Sequence, residues 1–135
     1  MSRGSSGAWR AAGVVIVSMA AITGCGSDSE NPALPAEAQQ GRELARTNGC
    51  AACHGSDGQG GVGPAFAGLY GSQVALADGT TVTADETFLT EKIRTPGATK
   101  VAGYDIEMPD NDLDDAQIAA LVAYIRALAG AEPDA

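Results

Sequence analysis

A five-residue segment, Cys50-Ala51-Ala52-Cys53-His54, restricts what this chain can fold into more than any other feature. Two thiols three residues apart can each add across one vinyl group of a haem, and a histidine directly after the second thiol then lies under the iron. Only 4% of the residues are aromatic, so the core is thin, and a group buried inside it would supply the missing packing. The segment therefore predicts one covalent haem c at Cys50 and Cys53, with His54 as an iron ligand.

Three other uses of closely spaced cysteines fit this sequence less well. A thioredoxin-like redox pair belongs in a βαβ setting, which the sequence does not predict. A zinc site needs further ligands, and after residue 24 the only other cysteine or histidine is Cys25, far upstream. A disulfide across two intervening residues is strained and rare. Haem attachment is the interpretation that uses all three side chains.

The first 24 residues resemble a bacterial secretion signal. Two positively charged residues, Arg3 and Arg10, precede an apolar run over residues 11–22. The run is shorter than the roughly 20 residues that span a bilayer. The run ends in Ile22-Thr23-Gly24-Cys25, which resembles the lipobox of lipoproteins, whose cysteine is lipidated and becomes the new N-terminus. We expect lipidation of Cys25, a flexible tether over residues 25–36 and a place on the extracytoplasmic (periplasmic) face of a bacterial membrane. An uncleaved membrane anchor is the alternative.

Removal of that signal changes the charge of the chain. Two arginines leave and no acidic residue does, so the formal net charge moves from −9 to −11. So acidic a protein is poorly suited to nucleic acid as a partner.

Met108 is the only methionine after residue 24, which makes it the one soft ligand available for the second axial position of the iron. A thioether opposite a histidine favours ferrous iron and raises the reduction potential, as suits an electron carrier. Core packing is the ordinary use of a lone methionine, but this one lies in a polar loop. The sole histidine is already used, so no catalytic triad is possible and we expect no enzyme.

Local patterns predict three helices and a hairpin. Capping boxes at Thr83/Glu86 and Asp114/Gln117 open the second and third helices. The predicted elements are a helix over residues 36–48, a hairpin over 74–82 around Asp78-Gly79, a helix that Pro96 closes, an irregular loop over 96–112 and a helix through Leu128. The hairpin is either a lid over the haem edge or a plain excursion of the loop.

Further stretches between residues 37 and 129 carry a family resemblance. They are Gly63-Pro64-Ala65-Phe66, Gly68-Leu69-Tyr70-Gly71, Leu76-Ala77-Asp78-Gly79, Thr95-Pro96-Gly97, Gly103-Tyr104 with Met108-Pro109, and residues 118–125. Together with the attachment segment they resemble class I cytochrome c, most closely the cytochrome c domain of subunit II of caa-type cytochrome c oxidases.

The resemblance implies an all-α class I cytochrome c fold over residues 37–130, wrapped on one haem, with a short tail over 131–135. It implies that the first and last helices cross, with Gly41 against Tyr124. It also implies that the Pro64 carbonyl accepts a hydrogen bond from His54, orienting the ring as such partners do at metal sites.

The resemblance further implies single-electron transfer between redox proteins. A quinol-oxidising complex or a dehydrogenase would be the donor, and a terminal oxidase the acceptor. The oxidase subunit has two membrane helices and a copper domain before this module, whereas this chain has a lipoprotein-like signal. We therefore expect a free-standing, membrane-tethered carrier. A haem c subunit of a dehydrogenase or oxidase complex is the alternative.

Two groups of charged residues have open interpretations. The acidic residues Asp110, Asp112, Asp114 and Asp115 are either a docking patch or, for the last two, carboxylates at the positive end of a helix. The basic residues Lys92, Arg94 and Lys100 are either a solvated face or contacts to a haem propionate.

Overall fold

The computed structural model describes residues 33–130 of the chain. The secretion signal, Cys25, most of the predicted tether and the tail over 131–135 lie outside the described residues. The elements, in chain order, are α1 (Ala36–Thr47), α2 (Cys50–His54), β1 (Gln73–Ala75), β2 (Thr81–Thr83), α3 (Glu86–Arg94), a 3₁₀ turn (Pro96–Ala98) and α4 (Asp115–Leu128). Helices with one small antiparallel hairpin are the architecture that was predicted. In this part of the chain, no helix has the length and apolar character needed to cross a membrane.

The first and last helices form the centre of the core. A Cβ on Gly41 of α1 would lie 1.9 Å from the Ala120 carbonyl oxygen and 2.8 Å from the Tyr124 Cβ on α4. The two backbones therefore approach as closely as they do only because position 41 has no side chain. The predicted contact between Gly41 and Tyr124 is confirmed.

The folded unit begins slightly before the predicted end of the tether. α1 starts at Ala36, and Leu34 is partly buried against the core cluster. The Gln39 amide donates to the Leu34 carbonyl at 2.6 Å, which fixes the chain as it enters the helix.

α4 begins as its sequence predicts. The Asp114 carboxylate accepts from the Gln117 backbone N–H at 2.8 Å, and the Asp114 N–H donates to the Gln117 side chain at 2.9 Å. This reciprocal pair is the predicted capping box, which satisfies two of the donors that a helix start leaves unpaired.

The predicted cap of α3 is wrong. Thr83 is the last residue of β2, paired with Gln73, so its backbone is committed to the hairpin. The helix is instead capped by Asp85, whose carboxylate accepts from the Phe88 N–H at 2.8 Å. α3 ends at Arg94, just before Pro96, as predicted.

In the hairpin, Val74 pairs with Val82. Its strands reach from residue 73 to residue 83, so the hairpin extends one residue beyond the predicted range of 74–82 at each end. It is joined to the following loop, because the Ala77 N–H donates to the Lys100 carbonyl at 2.8 Å and the Ala102 N–H to the Ala75 carbonyl at 2.9 Å. The loop predicted to be irregular over residues 96–112 thus contains the 3₁₀ turn and a short pairing with the hairpin.

Candidate functional site

The attachment segment forms a single turn of helix, α2. Gly49, in the left-handed conformation at φ 77°, separates it from α1. Residues three apart lie on one face of a helix, so Cys50 and Cys53 present their thiols in the same direction. Both cysteine side chains are half-buried and form no disulfide with each other, and burial raises the pKa of the Cys50 thiol. The turn therefore offers two neighbouring thiols to one ligand.

His54 is held by the loop that follows it. Its Nδ1 lies 2.7 Å from the Pro64 carbonyl oxygen, and since a carbonyl only accepts, Nδ1 carries the proton. The lone pair is then on Nε2. Burial lowers the pKa of His54, opposed by its hydrogen bond to Pro64. The neutral form is the one that binds a metal, so the ring is prepared for ligation through Nε2.

The same loop fixes the plane of the ring. The Phe66 ring stacks on it, with centroids 4.4 Å apart and an interplanar angle of 19°. A Cβ on Gly63 would lie 3.1 Å from the His54 Cε1, which is tighter than an ordinary contact. The Gly60 N–H donates to the His54 carbonyl at 2.8 Å, so the glycine-rich loop folds directly back on α2.

A cavity of about 520 Å³ adjoins these side chains. Its size is in the range of ligand pockets. The lining includes Cys50, Cys53, His54 and Pro64 together with Met108, Leu89 and Ile93 of α3, Leu121 and Ile125 of α4, and the strand β1. One strand of the hairpin, β1, is therefore part of the cavity wall.

Met108 comes to the cavity from the loop between the 3₁₀ turn and α4. It is half-buried and packs in part against the core cluster, although the residues on either side of it are exposed. The structure thus brings all five sequence-predicted residues to one cavity, whereas Cys25 lies outside the described residues.

Three contributors were not predicted from the residues. Phe66 and Gly63 belong to the stretch that carried the resemblance, but their contacts with the histidine ring depend on how the loop folds back. Asn111 donates through Nδ2 to the Ile93 carbonyl at 2.8 Å, which ties the Met108 loop to α3. A lone asparagine in a polar loop gives no signal in the sequence for such a bond.

The residues at the cavity fit a covalently attached haem. Two adjacent thiols suit two thioether bonds, and an imidazole nitrogen and a thioether sulfur line the same apolar space. Within residues 33–130, no group of three or more histidine, cysteine, aspartate or glutamate side chains is arranged to hold a metal ion by itself. The zinc alternative therefore has no ligand set in this part of the chain.

Comparison with known proteins agrees with this geometry. A family model described as Cytochrome c matches residues 38–129, which is more than half of the chain and includes the whole cavity. No match was found among curated proteins. The family binds haem c covalently through its two cysteines, with iron as the metal, and Cys50 and Cys53 stand at those positions. Its members are typically electron carriers. The fold, the attachment segment and the family model together show that this chain belongs to the cytochrome c family and is a c-type cytochrome that functions in electron transfer.

Proposed function

We propose that this cytochrome is a membrane-tethered carrier of single electrons in an extracytoplasmic respiratory chain, with His54 and Met108 as the axial ligands of its iron. A quinol-oxidising complex or a dehydrogenase would reduce it, and a terminal oxidase would oxidise it. The observation that carries the proposal is the shared cavity, which is lined both by the half-buried His54 imidazole, whose pKa is lowered, and by the only thioether among the described residues.

The residues of the chain prepare this site for electron transfer rather than for binding a substrate. When bound, haem supplies a one-electron couple between ferric and ferrous iron. The Pro64 carbonyl sets the tautomer of His54, and Phe66 limits rotation of its ring. The apolar walls keep water away and so would disfavour the extra positive charge of ferric iron, which raises the reduction potential. A Met108 ligand would also raise the potential. A fully ligated iron would leave no position for a gas or a peroxide.

The tether rests on the sequence around Cys25. A short apolar run followed by a lipobox-like segment favours a lipid anchor, and a diacyl anchor gives stable membrane binding where one chain does not. The described domain, which holds no helix able to cross a membrane, would then need this anchor to stay at the surface.

The ligand part of the proposal is tested with Met108→Ala. The wild-type ferric protein should show the near-infrared band of sulfur ligation, and its ferrous form should not bind carbon monoxide readily. Met108→Ala should lose the band, bind carbon monoxide and have a lower potential. An unchanged band would show that another group is the second ligand.

The tether is tested with Cys25→Ser. The wild-type protein should sediment with membranes and carry a diacylated N-terminal cysteine by mass spectrometry, whereas the variant should be released as a soluble, still red protein. An unmodified Cys25 in the membrane fraction would contradict the lipid anchor and favour an uncleaved one.

A further inference from the structure

The last turn of α3 is bonded to the loop that carries Met108 on both sides of that residue. On the N-terminal side, the Lys92 ammonium donates to the Pro96 and Thr99 carbonyl oxygens. On the C-terminal side, the Asn111 amide donates to the Ile93 carbonyl at 2.8 Å. Adjacent residues of one helix therefore hold both ends of the same loop.

The contact with Lys92 reaches the residue next to Met108. The Glu107 carboxylate lies over the 3₁₀ turn, with its Oε1 3.2 Å from where a Cβ on Gly97 would be. Lys92 and Glu107 also interact electrostatically. Thus Lys92 fixes the turn against which Glu107 rests, and Glu107 is joined directly to Met108.

The rest of this loop has little to hold it. From Thr99 to Asp114 the backbone forms no helix, its one strand-like pairing is at Val101, and most of its side chains are exposed. Segments with few buried contacts open at low free energy. Hydrogen bonds from a charged donor are among the strongest that such a segment can have.

We propose that Lys92 is a positioning residue that holds Met108 on the iron by anchoring the 96–99 turn, with Asn111 as the second anchor of the same loop. The proposal rests on the proposed ligation of the iron by Met108. It differs from both earlier interpretations of Lys92, because the ammonium group is neither simply solvated nor committed to a haem propionate. Its described bonds go to backbone carbonyls.

Lys100 provides a matched control. It lines the same cavity and carries the same charge, but it is exposed, and its side chain has no hydrogen bond or ion pair among the described residues. Lys92→Gln and Lys100→Gln therefore remove the same charge near the same cavity, and only the first removes the anchor. Glutamine is one atom shorter and cannot reach both carbonyls.

The experiment measures how readily imidazole displaces the second axial ligand of the full-length ferric holoprotein, followed by loss of the near-infrared band. We expect Lys92→Gln to bind imidazole about tenfold more tightly, which corresponds to about 1.4 kcal/mol, because the variant loses hydrogen bonds from a charged donor. Lys100→Gln should stay within about twofold of wild type on the same scale. Asn111→Ala should shift in the same direction as Lys92→Gln.

A destabilised variant far from the loop separates positioning from general loss of stability. Gly41→Ala disturbs the α1–α4 crossing and should lower the free energy of unfolding without changing the imidazole affinity. If Gly41→Ala tightened imidazole binding as Lys92→Gln does, the effect would be global and the positioning role would be refuted.

The remaining outcomes are also decisive. Equal tightening in Lys92→Gln and Lys100→Gln would assign the effect to charge and overturn the proposal. Unchanged imidazole affinity with a shifted potential in Lys92→Gln would favour a propionate contact instead. If Lys92→Gln does not fold, an unchanged affinity in Asn111→Ala overturns the proposal. A wild-type protein without the near-infrared band would refute the proposed ligation itself, and the role of Lys92 with it.

Discussion

Among the described residues, two that follow His54 within twelve positions orient its ring. The His54 Nδ1–H donates to the Pro64 carbonyl oxygen at 2.7 Å, and the Phe66 ring stacks on the imidazole with the ring centroids 4.4 Å apart. Phe66 in turn meets Tyr124 of α4 edge to face, with centroids 6.2 Å apart. His54 is thus connected through one aromatic ring to the helix crossing at the centre of the core.

Covalent attachment at Cys50 and Cys53 makes a prediction about the unfolded chain. Thioether bonds survive denaturation, so the haem should migrate with the polypeptide in a denaturing gel and stain there by its peroxidase activity. A double Cys50→Ala, Cys53→Ala variant should show no such stain. Release of the colour from the wild-type chain by acidified acetone would contradict covalent attachment.

At this scale the sequence predicts chemistry better than it predicts contacts. Cys50, Cys53 and His54 are adjacent in the chain, so their spacing alone indicates what they do together. The bonds of Asn111 to Ile93 and of Lys92 to Thr99 depend on where separate segments meet. No local pattern distinguishes these two side chains from solvated ones.

The β-hairpin turn shows how a local polar contact affects an ionisable group. The Thr80 hydroxyl and backbone N–H both donate to the Asp78 carboxylate, at 2.6 and 2.9 Å. Both hydrogen bonds lower the pKa of Asp78, and the bond from the Thr80 hydroxyl has the larger effect. The stability that these hydrogen bonds contribute is therefore fully present above the ordinary pKa of an aspartate carboxyl. It is lost as the pH falls through the lowered pKa of Asp78.

Thr80→Val should raise the pKa of Asp78 towards its ordinary value. The hydroxyl donor is removed while the backbone donor at position 80 remains, so part of the lowering should persist. A carboxyl carbon NMR titration of both proteins measures the change. The same pKa in the two proteins would show that the hydroxyl does not bond to the carboxylate in solution.

The crossing of α1 and α4 leaves no room for a side chain at Gly41. Gly41→Ala improves helix propensity by about 1 kcal/mol, yet the new Cβ would lie 1.9 Å from the Ala120 carbonyl oxygen. That neighbour is backbone and cannot move aside alone. Because the two helices must separate, we expect a net destabilisation of about 1–3 kcal/mol.

Denaturant unfolding of the holoprotein measures this effect. The control is Gln40→Ala, one residue earlier on the exposed face of the same helix, which should change the free energy of unfolding by less than about 0.5 kcal/mol. Equal stability of Gly41→Ala and wild type would show that the crossing is looser than the structure indicates.

The two helix starts show which parts of an element a sequence can predict. The capping box of Asp114 and Gln117 involves only residues within one turn, and it forms as predicted. The equivalent pattern at Thr83 and Glu86 fails because Thr83 is drawn into the hairpin by its partner ten residues earlier. Local capping signals hold where no distant pairing competes for the same backbone.

The charge of the whole molecule is unevenly distributed along the chain. Between residues 101 and 125 there are six acidic residues and no basic one, and this segment includes the Met108 loop. Ile106, 60% exposed, lies among them at the cavity. An apolar side chain surrounded by carboxylates is a composition suited to brief contact with a partner of opposite charge.

The acidic surface around Ile106 should affect how a redox partner approaches the protein. Opposite charges speed encounter and salt screens them, with a Debye length of about 30 Å at 0.01 M and about 10 Å at 0.1 M. We therefore expect the partner to be basic around its own redox centre, and the second-order rate of electron transfer to fall as salt rises over that range. Stopped-flow measurement with the purified partner gives the rate. The proposed membrane tether would raise the local concentration of the two proteins but would leave this orientation effect in place.

A pair of charge reversals locates the effect on the molecule. Asp110→Lys changes an exposed residue at the cavity, whereas Glu43→Lys makes the same change on the exposed face of α1, away from the cavity lining. Both raise the net charge by the same amount, so a contribution from total charge alone would slow the reaction equally. We expect Asp110→Lys to slow it several-fold more at low salt, and the difference to disappear at high salt, because a rim charge acts mainly on the association rate. Equal rates for the two variants would assign the steering to overall charge, and a rate that rises with salt would exclude attraction between the proteins altogether.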